Sequence, residues 1–217
     1  ARETGQRFPP TEYDDINAAS PFSPVTIISP QIQARVRGVV EVRGNATADD
    51  FAYFRLDYGA GLQPDVWLPI GQAQTVPGRG IVLGTWDTTG LSDGAIYVLR
   101  LTVVRADNSA ERAYMSVTVD NQPPQVALVE PVPDSHYTPG QDVYVPLQAE
   151  PEDNVQMAYV EFYQGDQLIA TSEEWPYTAR WTLGEPGEYE FWAIAYDAAG
   201  NRAESGRVTI VVEQSGD

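Results

Sequence analysis

Oxygen-bearing side chains dominate what this chain could do chemically. Asp and Glu number 31 against 13 basic residues, for a net charge of −18, and every basic residue is an arginine. The absence of cysteine and lysine removes disulfides, thiol catalysis, Cys-ligated zinc, Schiff bases and Lys–Asn isopeptide crosslinks from consideration. So acidic a surface repels nucleic acid and anionic lipid and favours cations or a cationic partner. Six oxygen-bearing residues stand beside turn signals: Asp120 and Asn121 in "VDNQPP", Glu150, Glu152 and Asp153 in "AEPEDNV", and Asp197 in "YDAAGN". These are hard ligands, of the type calcium collects in sets of about six to eight.

Other chemistries find less support. The single histidine, His136 in "PDSHYTPG", is surrounded by turn formers that predict an exposed loop, and no serine is flanked as a nucleophile elbow would be. Glycoside hydrolysis needs two carboxyl groups at fixed separation in a cleft; Glu173-Glu174 beside Trp175 is the best local pair. "GRGIVLG" lacks the lysine of a phosphate loop. Of five tryptophans, Trp67 before "LPIG" and Trp175 before Pro176 sit in the loop-richest contexts. They are the candidates for stacking on a sugar ring. "NAT" at Asn45 matches a three-letter glycosylation sequon.

These residues are positioned by short strands. Residues 1–24, with four prolines, show no usable periodicity and predict an extended arm. From Val25 onward, runs such as "VTIIS", "FAYFRLDYG" and "IYVLRLTVVRADN" alternate or run apolar with β-branched residues, and turn signals separate them. In "FAYFRLDYG" the set Ala52, Phe54, Leu56 and Tyr58 is the more apolar and belongs in the core. The second half repeats the plan, with hairpins at Gly165-Asp166 and Ala199-Gly200-Asn201. Along "EYEFWAIAYD", Tyr189, Phe191, Ala193 and Ala195 share one face and Trp192, Ile194 and Tyr196 the other; both are apolar, so period 2 leaves the inner face open. No window carries a sustained helical period with caps.

About seven strands in roughly 95 residues is the pattern of a β-sandwich. The expected fold is all-β: two tandem immunoglobulin-like β-sandwiches over 25–121 and 122–213, joined by a short proline-containing linker, with a tail at 214–217. In each half a Gly precedes a Tyr that opens a long penultimate strand (Tyr97 and Tyr189), as in a tyrosine corner. In such a sandwich the first strand starts at the end where the B–C and F–G loops lie. Asp120, Asn121, Glu150, Glu152, Asp153 and Asp197 are therefore expected to gather, despite their separation in sequence. Crowded carboxylates repel unless solvated or neutralised, so a calcium ion there is the one cofactor to test; a bound ion would stiffen the two modules.

Particular stretches carry a family likeness. "YGAGLQPDVWLPIG", "LGTWDTTGLSDGAIYVLRLTVV" and "VTVDNQPP" resemble the first of two immunoglobulin-like modules that follow the transpeptidase domain of some bacterial penicillin-binding proteins. "VEFYQGDQLIATSEEWPYTARWTL" with "YDAAGNRAESGRVTIVV" resembles a bacterial Ig-like module, also common in secreted hydrolases and adhesins. The resemblance covers about 25–213. It implies an exported, membrane-anchored parent at the cell envelope, with catalytic domains upstream in the same chain. Peptidoglycan or cell-envelope proteins would be the neighbours, without membrane insertion by this segment, and a monomer is expected. That family's Ser-x-x-Lys and Lys-Thr-Gly motifs cannot exist without lysine, so no catalytic residue transfers. The expected function is that of a non-enzymatic spacer or interaction module. The alternatives are a carbohydrate-binding module and an adhesin-type surface module.

Overall fold

The computed structural model describes residues 20–214, and every regular element among them is a β-strand. Most of the arm expected over 1–24, and the last three residues of the tail, lie outside the described residues. The chain folds as two units, each with its own interior. One takes in the described residues up to Ala34, Val39–Asp87 and Ala95–Thr118. The other takes in Arg35–Gly38, Thr88–Gly94 and the described residues from Val119.

The first sandwich pairs two sheets. One is β1 (Val25–Ser29), β3 (Val39–Ala46) and β6 (Gly78–Asp87), in the order β1-β3-β6. The other is β2 (Ala34–Val36), β8 (Ala110–Val119), β7 (Ile96–Arg105), β4 (Phe51–Ala60) and β5 (Leu68–Gln74), in that order. The alternation read along β4 is realised: Phe54 and Leu56 are buried, opposite Val103 and Leu101 of β7. Trp86 of β6, 2% exposed, meets Tyr58 and Tyr97 at ring separations of 5.3 and 5.9 Å. Tilted aromatic pairs of this kind add about 0.5–1.5 kcal/mol beyond their buried area. Asp57 departs from the simple face pattern. It lies on the outer face yet is buried, because the Arg100 guanidinium donates to its Oδ2 from Nη2 (2.9 Å) while lying 3.9 Å over the Trp67 ring.

The second sandwich repeats the topology. Its smaller sheet runs β14 (Thr178–Thr182), β11 (Tyr144–Glu152), β9 (Gln125–Glu130). Its larger sheet runs β10 (His136–Tyr137), β17 (Val208–Val212), β15 (Gly187–Asp197), β12 (Met157–Gln164), β13 (Gln167–Ser172), and β16 (Arg202–Glu204) pairs with β15. The order β1-β3-β6 in the first unit thus matches β9-β11-β14, and β5-β4-β7-β8 matches β13-β12-β15-β17. The core gathers Val145, Leu147, Val160, Phe162, Phe191, Ala193, Ala195, Ile210 and Val212. The inner face of β15 is therefore the Phe191 set. On the opposite face Trp192 stacks on Tyr163 at 4.6 Å, and Tyr196 on Tyr159 at 4.6 Å. The Tyr189 hydroxyl donates to the Glu185 carbonyl (2.7 Å), which is the clamp expected of a tyrosine corner.

One local expectation changes. His136 lies in a two-residue strand rather than a loop, parallel to β17. The amides of Val211 and Glu213 donate to the carbonyls of Ser135 and Tyr137, drawing the segment into the sheet.

Candidate functional site

The second unit holds a group of carboxylates, two of them buried and one partly buried. Asp120 follows the last residue of β8 and its amide donates to Val36 O (2.9 Å). Asp153 lies in the turn between β11 and β12, and Asp197 ends β15. Each of the three offers a carboxylate oxygen, and these oxygens all lie within 4.8 Å of one another. Carboxylates far apart along the chain thus meet within this unit.

Two of the three are held by their own turns. Asp153 accepts from the amides of Val155 (2.8 Å) and Gln156 (2.6 Å), both through Oδ2. Asp197 accepts from the amides of Ala199 and Asn201 through Oδ1 (2.9 and 2.8 Å). Its Oδ2 accepts from Asn201 Nδ2 (2.7 Å), which also donates to Asp120 O (3.0 Å). These are the local side-chain-to-backbone bonds that Asp favours at turns, and they fix the carboxylates without outside help.

Asp120 is different. Its side chain is fully buried, and neither Oδ1 nor Oδ2 has a hydrogen-bond partner; Asp153 Oδ1 is likewise buried and unpartnered. Burial, reinforced by the carboxylates of Asp197, Asp153 and Asp93, pushes the Asp120 carboxyl from 3.8 up to about 6. The Gln122 backbone amide acts in the other direction but does not meet hydrogen-bond geometry.

The other three expected ligands stand apart from this group. Asn121 is a latch: its Oδ1 accepts from the Gly38 amide (2.8 Å) and its Nδ2 donates to Thr88 O (3.0 Å). Glu150 is exposed in β11, in register with Ala127. Glu152 is exposed and shares with Asp153 a surface hollow also lined by Gln122, Pro123, Gln125 and Asn154. Sequence reasoning missed Asp93, which accepts from the Asn121 amide and from Asn154 Nδ2. It also missed Asn201 and Arg37, whose Nη1 donates to Asn201 Oδ1 (3.3 Å). The available signal was Asn201 in "DAAGN", a short turn that returns an amide to the aspartate opening it.

Elsewhere the candidates separate clearly. Trp175 is 82% exposed, whereas Trp67 is half-buried with Arg100 over one ring face. Glu173 and Glu174 are both exposed. His136 is exposed and its Nδ1 pairs with Glu213 Oε1 at 2.8 Å. Asn45 is 3% exposed; its Nδ2 donates to Pro21 O and Ser23 O, and its Oδ1 accepts from the Gly80 amide. The sequon asparagine is a buried structural bridge.

Residues 124–212 match the bacterial Ig domain family. The stretch coincides with the second sandwich. Among solved structures, the fibronectin(III)-like modules of Clostridium thermocellum CbhA are 22% identical with a TM-score of 0.57, covering 88% of this chain and 94% of that one. The FN1–FN3 domains of chicken CNTN1 are 9% identical with a TM-score of 0.51, covering 88% and 67%. No curated protein matches the chain. The second sandwich is thus similar to a bacterial Ig domain, and the described chain shares the tandem Ig/fibronectin III-like fold. No helix among the described residues is long and apolar enough to cross a membrane.

Proposed function

We propose that this chain is the non-catalytic accessory region of an exported cell-wall enzyme of the penicillin-binding class, a spacer and interaction module beside peptidoglycan. The observation that carries the reading is the repeated sandwich topology itself. Both units place several aromatic and polar residues in packing and turn clamps, among them Trp86, Tyr189 and Asn45, which suits a part that holds position. The "GTWDTTGLSDG" stretch and the bacterial Ig match support the cell-envelope assignment. Catalytic domains of the same protein would be the partners, and the acidic surface argues against nucleic acid. The gene product that contains this region should be labelled covalently by a fluorescent penicillin; an unlabelled product sinks the assignment.

A second reading is favoured by Trp175, the most exposed of the five tryptophans. A free indole face is what a sugar ring stacks on. As a glycan binder the chain would be retained on purified peptidoglycan, and Trp175→Ala would reduce that retention about tenfold. Equal retention of the variant would return Trp175 to ordinary surface.

A further inference from the structure

We propose that Asp120, Asp153 and Asp197 form a divalent-cation site for a calcium-class ion, built wholly within the second unit. The argument starts from what the site lacks. Three carboxylate oxygens, both of Asp120 and Oδ1 of Asp153, are buried without a donor. An ionised carboxylate out of water without a hydrogen bond is among the costliest groups a protein can bury. Three carboxylates whose oxygens fall within 4.8 Å also repel one another. A bound cation resolves both difficulties at once.

The surrounding groups do not supply the missing positive charge. Arg37 directs Nη1 to Asn201 Oδ1, and Asp93 and Glu152 add negative charge nearby. The turns leave the right atoms free. Asp153 uses Oδ2 for its own turn and keeps Oδ1 in the cluster. Asp197 accepts three hydrogen bonds, and a carboxylate has about four acceptor positions. Asp120 can offer both oxygens. Asp120, Asp153 and Asp197 thus supply the protein oxygens, and water would complete the shell. The hollow lined by Glu152 and Asp153 brings solvent to the Asp153 side of the cluster.

The ligand set selects the ion class. Only carboxylate oxygens are present, with neither thiolate nor imidazole, which disfavours zinc and copper. Calcium accepts mono- and bidentate carboxylates in irregular geometry, whereas magnesium demands a near-ideal octahedron and keeps its waters. Asp120 Oδ1 and Oδ2 form the kind of pair that calcium takes bidentately. By tying Asp120 to the turns at Asp153 and Asp197, the ion would clamp three segments of the second unit together.

The test is calorimetric titration of CaCl2, and separately MgCl2, into the chelator-treated chain, with thermal melts in parallel. One calcium per chain is expected to bind, at least tenfold tighter than magnesium. At a hundredfold excess over Kd the melting temperature should rise by about 3 °C or more. Asp120→Asn should weaken calcium binding by at least tenfold while keeping the native circular dichroism spectrum. Asp153→Asn serves as a second probe if the first variant fails to fold, with the same loss expected. Wild-type protein that shows neither heat nor a melting shift would overturn the proposal. So would binding that persists undiminished in a folded Asp120→Asn or Asp153→Asn variant.

Discussion

Asp120 shows how much one residue's chemistry depends on its company. As a lone Asp after a strand it would be an ordinary turn former. Enclosed with Asp153, Asp197 and Asp93, its carboxyl is pushed up to about 6. Between about pH 4 and 6 the folded chain therefore holds a proton that the unfolded chain, at 3.8, has already released. In cation-free protein this penalises the native state above pH 6 and is relieved as pH falls through 6 toward 4. In chelator at about pH 7.5, Asp120→Asn should be more stable than wild type by urea denaturation, and the gap should narrow at about pH 5. A gap independent of pH would show that Asp120 does not titrate differently in the folded and unfolded chain. The acids at 120, 153 and 197 were legible from sequence because each adjoins a turn signal. Asp93 was not, since its role is to receive the Asn121 amide and the Asn154 amide group across the fold.

At the level of strands, most of the pattern follows from period 2 and turn chemistry. The hairpin at "ADNSA" forms as its residues require: Asn108 takes a positive φ of 66°, and Asp107 Oδ1 accepts from the Ser109 amide. β15 is the counterexample. Its two faces are equally apolar by composition, and only the opposing sheet makes Phe191 core and leaves Trp192 to stack on Tyr163. A second feature invisible to periodicity is Gly44 in β3. A methyl group there would run into the Thr26 carbonyl oxygen of β1 and the Leu83 side chain of β6. Backbone cannot step aside as a flexible side chain can. Gly44→Ala should cost about 1–3 kcal/mol by denaturant titration, whereas Gly90→Ala, with open space around it, should cost much less.

Across the whole molecule the governing number is the charge of −18. Self-repulsion of that size opposes compaction and is screened by salt. The chelator-treated chain should melt at a higher temperature as NaCl is raised from about 20 to 300 mM, where the Debye length has shrunk below about 8 Å. Scanning calorimetry would show it; a flat response would mean that the acids are already dispersed enough to ignore. The rise from calcium should exceed that from NaCl of equal ionic strength, because a site of three carboxylates is occupied rather than merely screened.

Composition and local spacing were sufficient for the all-β class, the repeated plan and the exclusion of lysine and cysteine chemistry. These depend on residue identity and on neighbours a few positions away. The inner face of β15, the burial of Asp57 and Asn45, and the meeting of Asp120 with Asp153 and Asp197 depend on strands far apart in sequence. Such arrangements exist only once the sheets pair and pack. Topology raises the expectation that acidic loops gather, but only packing decided which carboxylates lost their water and which stayed in it.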